Sequence, residues 1–393
     1  MRNSGGCRVR LFLTTLFCTI FSQVSTTGAV PPSEAFIKIY TAQHPRTGEV
    51  HFIARNVGYC PYQIEISLPV LRNYTPSSPL PHYSVVPPDG EEHTLLALRI
   101  TKPGEARYEA QYHIETGNPA ARPDTAAVYL FPFGHGERYR VSQGYDGTYS
   151  HRGRSAVDFE MPEGTPVRAS RAGIVVDLKE DSDRGGADAR YQRDGNYVLV
   201  YHADGTFANY SHLQQGGVLK ELGDDVAAGE VLGLSGNTGW TLGPHLHLEM
   251  LRPERLALGS LPVRFRTPDG GAAVPREGRS YYGYHPGGPT FEREEEVDYS
   301  AYDLKTYRAP VPTDRKVEVL KRPGDDGAML FFVKNGYPVA KTVSFDFDLR
   351  NLATQEPVPP RVRVPGNTEV FLFSAKVANP AQPAGYQVEF GVR

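Results

Sequence analysis

The sequence has few cysteines, a single tryptophan and no long hydrophobic run. Its three cysteines among 393 residues are Cys7, Cys18 and Cys60, too few for a framework of disulfides. The longest apolar run, residues 11–21, falls short of the about 20 residues that a membrane-spanning helix needs. Patterns typical of long amphipathic helices are also scarce. We therefore expect neither a disulfide-stapled scaffold nor a transmembrane segment.

The first 29 residues have the composition of a secretory signal peptide. Arg2, Arg8 and Arg10 precede the apolar run, and small polar residues follow it as far as Ala29. Removing this segment takes away three arginines and no acid, so the formal net charge falls from −3 to −6. The sequence thus predicts an exported protein, periplasmic or extracellular. Its mild acidity argues against binding to nucleic acid or to an anionic membrane surface.

The rest of the chain has the composition of an all-β protein. Forty glycines and 33 prolines separate short runs rich in Val, Tyr, Phe and Thr. Residues 30–120 alternate apolar and polar positions in segments such as 62–68 and 94–100, which predicts a small β-sandwich. Residues 267–315 are polar and irregular, which is typical of a linker. We expect a second sandwich in residues 316–393.

Two pairs of segments suggest that the second sandwich repeats the first. Residues 56–59 resemble residues 335–337, and the strand at 108–114 resembles that at 386–392. The pairs occur in the same order. Neither sandwich contains a cluster of His, Asp or Cys, so a structural or positioning role is favoured for both.

The polar residues that carry chemistry gather between the two sandwiches, in residues 121–266. After Pro244, His245, His247 and Glu249 alternate with Leu246, Leu248 and Met250, a pattern typical of a half-buried strand. Side chains two residues apart on a strand lie ~6.6 Å from each other on one face, close enough to share a bound ion. The alternative is a pair of polar positions on a solvated face. Glu249 could support the histidines or simply be exposed.

Further candidate ligands lie upstream of this strand. His151 ends a loop and Asp158 opens the next strand, so the chain must fold back at Gly153 if both are to reach one ion. The turn Ala203-Asp204-Gly205 predicts a hairpin that carries His212 at its far end.

Taken together, these motifs resemble those of the lysostaphin-type zinc metallopeptidases, bacterial cell-wall endopeptidases. The order is His151 and Asp158, then Tyr210-Ser211-His212, then residues 236–239, then His245-Leu246-His247. The resemblance covers about residues 128–266. It departs from the family in one respect, because the shortest members have three residues between the first histidine and the aspartate, whereas this chain adds Arg154-Ser155-Ala156.

The resemblance implies a zinc enzyme whose central domain is an antiparallel β-sheet. His151, Asp158 and His247 would bind one zinc ion per chain, and His212 with His245 would form the catalytic pair. Three ligands leave a tetrahedral zinc one open position, where a bound water has a pKa near ~7. The substrate would be the stem or cross-bridge peptides of peptidoglycan.

Other features of the central region have ordinary explanations. His202 is expected to pack inside the fold or to support the site indirectly. The glycine-rich residues 233–239 lack the Lys-Ser/Thr pair of a phosphate-binding loop. Trp240 could line the substrate groove or pack beneath a loop. Residues 181–195 are expected to form a surface loop beside a cleft.

Two further classes of function stay open from the sequence alone. The first is a metal-free binding or regulatory protein of the cell wall built on the same fold. The second is a carbohydrate-binding protein that acts through the two sandwiches. The retained ligand set favours the enzyme, and zinc bound after purification would separate the enzyme from the metal-free protein. The oligomeric state is not predicted.

Overall fold

A computed structural model describes residues 36–292, 303–324, 328–379, 382 and 384–393. The predicted signal peptide, with Cys7 and Cys18, lies outside the described residues. Within them, nearly all of the regular secondary structure is β-strand, and the 3-10 helices that are described, Ala189–Arg193 and Leu304–Thr306, have five and three residues. The all-β prediction is confirmed. In the described part, no helix has the length and apolar character needed to cross a bilayer.

The N-terminal region is a sandwich of two antiparallel sheets. One sheet has the order β1-β2-β6-β4 and the other β5-β3-β7. Alternating apolar residues of both sheets, such as Phe52 of β2 and Ile64 of β3, are fully buried between them. The strands are β1 Ile37–Gln43, β2 Val50–Asn56, β3 Tyr62–Arg72, β4 Tyr74–Pro76, β5 His82–Val86, β6 Glu92–Ile100 and β7 Arg107–Thr116.

The central region is built on an antiparallel sheet in which β16, β12, β14, β15, β19 and β10 are neighbours in that order. Strand β17 pairs with β11 and β15, and β20 pairs with β19. The strands of this part are β8 Val128–Tyr129, β9 Arg138–Gln143, β10 Ala156–Phe159, β11 Pro166–Arg168, β12 Gly173–Lys179, β13 Gly185–Gly186, β14 Asn196–Tyr201, β15 Phe207–Val218, β16 Asp225–Val226, β17 Val231–Ser235, β18 Gly239–Trp240, β19 Leu246–Glu254, β20 Ala257–Ser260, β21 Arg264–Arg266, β22 Ala272–Ala273 and β23 Ser280–Tyr282.

The predicted hairpin joins β14 to β15. Gly205 has a φ of +85°, and the turn is closed by its amide donating to the carbonyl of His202 at 2.9 Å. Tyr201 lies opposite Phe207, as an Asp-Gly turn between two apolar runs predicts.

The C-terminal region is a second sandwich. One sheet has the order β24-β30-β26-β25, with β28 also paired to β30, and the other has the order β29-β27-β31. Phe331, Val343 and Phe373 fill the space between the sheets. The strands are β24 Arg308–Pro310, β25 Val317–Pro323, β26 Met329–Asn335, β27 Lys341–Arg350, β28 Leu352–Thr354, β29 Arg361–Val364, β30 Thr368–Val377 and β31 Gly385–Val392.

The two sandwiches share their strand order. Strands β25 to β31 pair with one another in the same order as strands β1 to β7. Strand β24 is an addition to the second sandwich. A fully buried asparagine ends β2 in the first sandwich and β26 in the second. Asn56 donates to the carbonyls of Cys60 and Val86, and Asn335 donates to those of Val339, Val364 and Pro365. In both sandwiches this amide donates to one carbonyl of the connection that follows and to carbonyls at the end of a later strand, β5 or β29.

By contact density the described chain divides into two compact units. One contains residues 36–137, 153–274 and 283–288, and the other contains residues 138–152 and 275–282 together with the C-terminal sandwich. In the first unit the N-terminal sandwich and the central sheet share one apolar core, to which the central sheet contributes Leu199 and Phe207. The sandwich therefore stabilises the sheet that carries the candidate site.

Candidate active site

Strand pairing brings together two of the predicted metal ligands. In the pairing of β10 with β19, Asp158 lies directly opposite His247. Nδ1 of His247 and Oδ1 of Asp158 are 2.9 Å apart, and both side chains are buried. Strand β19 is not half-buried as predicted. Every residue from Leu246 to Leu251 is buried, so both faces of β19 are covered and not only one.

His151 completes the set. Gly153 has a φ of +70°, a left-handed conformation that suits glycine, and it lies at the predicted reversal between His151 and Asp158. His151 is fully buried, and its Nδ1 donates to the carbonyl of Gly144 at 3.1 Å, since a carbonyl can only accept. Its Nε2 is thereby left with the lone pair that a metal requires. One ligand atom from each of His151, Asp158 and His247 lies within 4.8 Å of the other two.

The donor set suits a zinc ion. Two imidazole nitrogens and a carboxylate oxygen are borderline donors that zinc prefers, and atoms bound at ~2.1 Å in a tetrahedron lie ~3.4 Å apart. The surroundings also favour a cation. Burial alone would lower the pKa of His247, but the carboxylates of Asp158 and Glu249 outweigh it and raise that pKa to about 9. These three ligand side chains could therefore hold a metal ion.

His212 lies beside this group at an irregular point of β15. The pairing of β15 with β14 shifts register here, and His212 has a φ of +67°, which is unusual for a residue with a side chain. Its Nδ1 donates to the carbonyl of Thr238 at 2.7 Å, so Nε2 carries the lone pair. Burial, reinforced by His245 and His247, lowers the pKa of His212 to about 3. The ring is therefore neutral near pH 7.

His245 precedes β19 and is paired through an isolated bridge with Gly236. Its Nδ1 donates to the carbonyl of Gly243 at 2.8 Å, and its Nε2 lies 3.8 Å from Oδ1 of Asp158. The rings of His212 and His245 have centroids 4.6 Å apart. The sequence-predicted pair is thus adjacent, and each ring has its Nδ1 fixed by a backbone carbonyl.

The predicted surface loop is attached next to His212. Gly185 and Gly186 pair in parallel with Gly239 and Trp240. Glycine is required at residue 185, because a Cβ there would lie 2.0 Å from the carbonyl oxygen of Asn237. Trp240 donates from Nε1 to the carbonyl of Ala187 at 3.1 Å, so its ring is anchored to this loop.

Burial decides the roles of two further residues considered in the sequence analysis, His202 and Glu249. His202 is buried, donates from Nδ1 to the carbonyl of Ala172 and lies against the ring of Tyr129, as a packing role requires. Glu249 is not an exposed position, since only 2% of it is accessible. Sequence reasoning missed the carbonyls of Gly144, Thr238 and Gly243, because backbone acceptors leave no signal in a residue pattern.

Comparison with known proteins finds a family similar to the region that contains Asp158, His212, His245 and His247. Residues 152–257 match Peptidase family M23. The chain is 30% identical over 169 residues to peptidoglycan DD-endopeptidase ShyA of Vibrio cholerae. The aligned region covers 41% of this chain and 35% of that protein. It is 38% identical over 96 residues to lysostaphin of Staphylococcus staphylolyticus, covering 24% of this chain and 18% of that protein.

A solved structure, the catalytic domain of the prophage-encoded M23 protein EnpA from Enterococcus faecalis, is 26% identical to this chain. It covers 33% of this chain and 93% of that domain, with a TM-score of 0.27. The matched region thus spans about a third of the length of ShyA and less of lysostaphin. From the sequence match and the ordered motifs, we conclude that the chain carries a peptidase domain of the M23 family, the LytM and lysostaphin type.

Proposed function

We propose that this protein is an exported zinc endopeptidase that hydrolyses stem or cross-bridge peptides of peptidoglycan. The observation that carries the proposal is the convergence of three ligand atoms within 4.8 Å, beside two histidines whose rings are 4.6 Å apart. Relatives named as peptidoglycan endopeptidases support the substrate class, and they also support export, because peptidoglycan lies outside the cytoplasm.

In this proposal His151, Asp158 and His247 hold one zinc ion, and the two other histidines perform the proton transfers. A zinc ion bound by three ligands supplies an open position, lowers the pKa of water and polarises a carbonyl. The described chain has no His-Glu-x-x-His sequence that would supply a glutamate as base.

His212 and His245 each expose an Nε2 lone pair, because the Nδ1 hydrogen of each is donated to a backbone carbonyl. A neutral imidazole can accept a proton from the attacking water and return it to the leaving amine. Once protonated, it can donate a hydrogen bond to the oxyanion that forms as the peptide carbonyl becomes tetrahedral. Burial lowers the pKa of His212, so its ring is neutral near pH 7.

We also propose the domain plan predicted from the sequence: a signal peptide in residues 1–29, sandwiches in residues 30–120 and 316–393, the peptidase domain in residues 121–266 and a linker in residues 267–315. The end of that linker contributes β24, which pairs with β30 of the C-terminal sandwich. In this plan the N-terminal sandwich supports the peptidase sheet through their common core. That core includes Phe207, five residues before His212 on β15 and so ~17 Å away along the strand.

The decisive experiment combines metal analysis with hydrolysis of purified peptidoglycan. We expect about one zinc per parent chain. Asp158→Ala should lose the zinc, because a ligand is removed, whereas His212→Ala should retain it and lose hydrolysis by ~10²-fold or more. His113→Ala, which changes an exposed histidine of the N-terminal sandwich, is the matched control and should behave as the parent does.

Mass spectrometry of the released fragments would identify the bond that is cleaved. Parent protein that binds no zinc in zinc-replete medium would instead support the metal-free regulatory alternative. Unimpaired hydrolysis by His212→Ala would remove that residue from the mechanism.

A further inference from the structure

The two ring nitrogens of His247 face two different carboxylates. Nδ1 lies 2.9 Å from Oδ1 of Asp158, on the side of the candidate metal ligands. Nε2 lies 3.8 Å from Oε2 of Glu249, which is two residues later on β19 and therefore on the same face of the strand. A carboxylate therefore lies on each side of the imidazole ring.

Glu249 has a second partner, Arg154. The guanidinium donates from Nε to Oε1 at 3.0 Å and from Nη2 to Oε2, a two-point contact that fixes the plane of the carboxylate. Glu249 is 2% accessible, and a buried carboxylate is costly unless it is paired. The side chain of Arg154 is 42% exposed, so the pair joins the surface to the interior beside His247.

Arg154 belongs to the three residues by which this chain departs from the shortest spacing of the lysostaphin-type motif. In the register of β10 with β19, Ala156 lies opposite Glu249. Arg154 lies two residues before that pair, and its side chain reaches Glu249 from there. The added segment therefore delivers a cation to the carboxylate that faces Nε2 of His247.

We propose that Arg154 and Glu249 form a positioning pair for His247. Arg154 fixes the carboxylate of Glu249, the negative charge of that carboxylate 3.8 Å from Nε2 favours the tautomer with its hydrogen on Nε2, and the lone pair of Nδ1 is left on the side of Asp158 for the metal. A carboxylate behind a ligating imidazole sets its tautomer and orientation, and loss of such a group weakens metal binding by about 10- to 100-fold. This inference rests on the proposed function, because it assumes that zinc is bound by His151, Asp158 and His247.

The test measures zinc affinity rather than activity. Full-length chains would compete for zinc with a chromophoric chelator, and cobalt substituted for zinc would report ligand geometry through its visible absorption. The variants are Glu249→Gln, Arg154→Met and the double variant. Arg152→Met, which changes an exposed arginine two residues away, is the matched control. The thermal midpoint of each metal-free chain would be recorded separately.

We expect the zinc dissociation constant to rise by about 10- to 100-fold in Glu249→Gln and by about 10-fold in Arg154→Met. The double variant should be no weaker than Glu249→Gln alone, because the arginine acts only through the carboxylate. The cobalt spectrum should change in all three, whereas Arg152→Met should match the parent.

If Arg154→Met fails to fold because its glutamate is left unpaired, the double variant, which buries no charge, decides the question. Variants that bind zinc as tightly as the parent and differ only in thermal midpoint would overturn the proposal and make the pair purely structural. A parent chain that binds no zinc at all would refute the proposed function as well, so the two failures are distinguishable.

Discussion

Replacing Asp177 by asparagine should change how the stability of the first unit depends on pH. Asp177 lies on β12 and is 9% accessible. It accepts hydrogen bonds from the hydroxyl of Tyr197 at 3.0 Å and from the amide of Leu178 at 2.9 Å. Burial nevertheless raises its pKa from 3.8 to about 6, because these two bonds do not replace the hydration that the ionised carboxylate loses.

The sign follows from which state releases the proton first. As the pH rises above 4, Asp177 ionises in the unfolded chain while the folded chain keeps its proton up to about pH 6. Stability therefore falls between about pH 4 and pH 6 and stays lower above that range. A pKa that rises from 3.8 to about 6 corresponds to about 3 kcal/mol of unfolding free energy. Asp177→Asn should escape this loss.

The assay is denaturant unfolding between pH 4 and pH 8, followed by the fluorescence of Trp240, the single tryptophan, which belongs to the same unit. A chelator keeps metal binding out of the measurement. We expect the stability of Asp177→Asn relative to the parent to increase by about 3 kcal/mol from pH 4 to pH 7. Asp183→Asn, which changes an exposed carboxylate of the same unit, is the matched control. A parent–variant difference that is constant with pH would refute the reasoning.

Two further predictions concern packing. Asn56→Ala should lower the unfolding free energy reported by Trp240 by about 3 kcal/mol, because buried carbonyls that the amide now satisfies would lose their donor. Asn335→Ala, the equivalent change in the second unit, should leave that unfolding free energy unchanged. Equal losses of stability in the two variants would contradict the role given to Asn56. Gly239→Ala should destabilise the fold by about 1–3 kcal/mol and reduce hydrolysis, because φ is +84° and the new Cβ would lie 2.7 Å from Cα of Gly195. Gly243→Ala, with open space around it, is the control, and equal activity of the two variants would contradict the prediction.

Local sequence determined the elements of this protein and the chemistry of its site. Alternating apolar residues specify strands, and the turn Ala203-Asp204-Gly205 specifies the hairpin that carries His212, because both signals depend on neighbouring residues alone. The identities of the candidate ligands followed from their order along the chain and from the resemblance that this order carries.

Tertiary structure decided what each of those residues contacts. The approach of His151 to Asp158 depends on the left-handed backbone at Gly153, and the pairing of Asp158 with His247 depends on the register of two strands almost 90 residues apart in the sequence. The burial of β19 on both faces overturned the half-buried strand that alternation predicts, since alternation records polarity and not what covers each face.

The choice of the free ring nitrogen was likewise outside the reach of the sequence. His212 and His245 present Nε2 because a backbone carbonyl accepts the Nδ1 hydrogen of each ring, and the buried carboxylate of Glu249 is paired with Arg154. The contacts of His212 with Thr238 and of Glu249 with Arg154 join residues far apart in the chain, and their free energy depends on where the whole fold places the two partners. A residue pattern can therefore indicate which side chains react. Only the folded chain sets their distances, protonation and orientation.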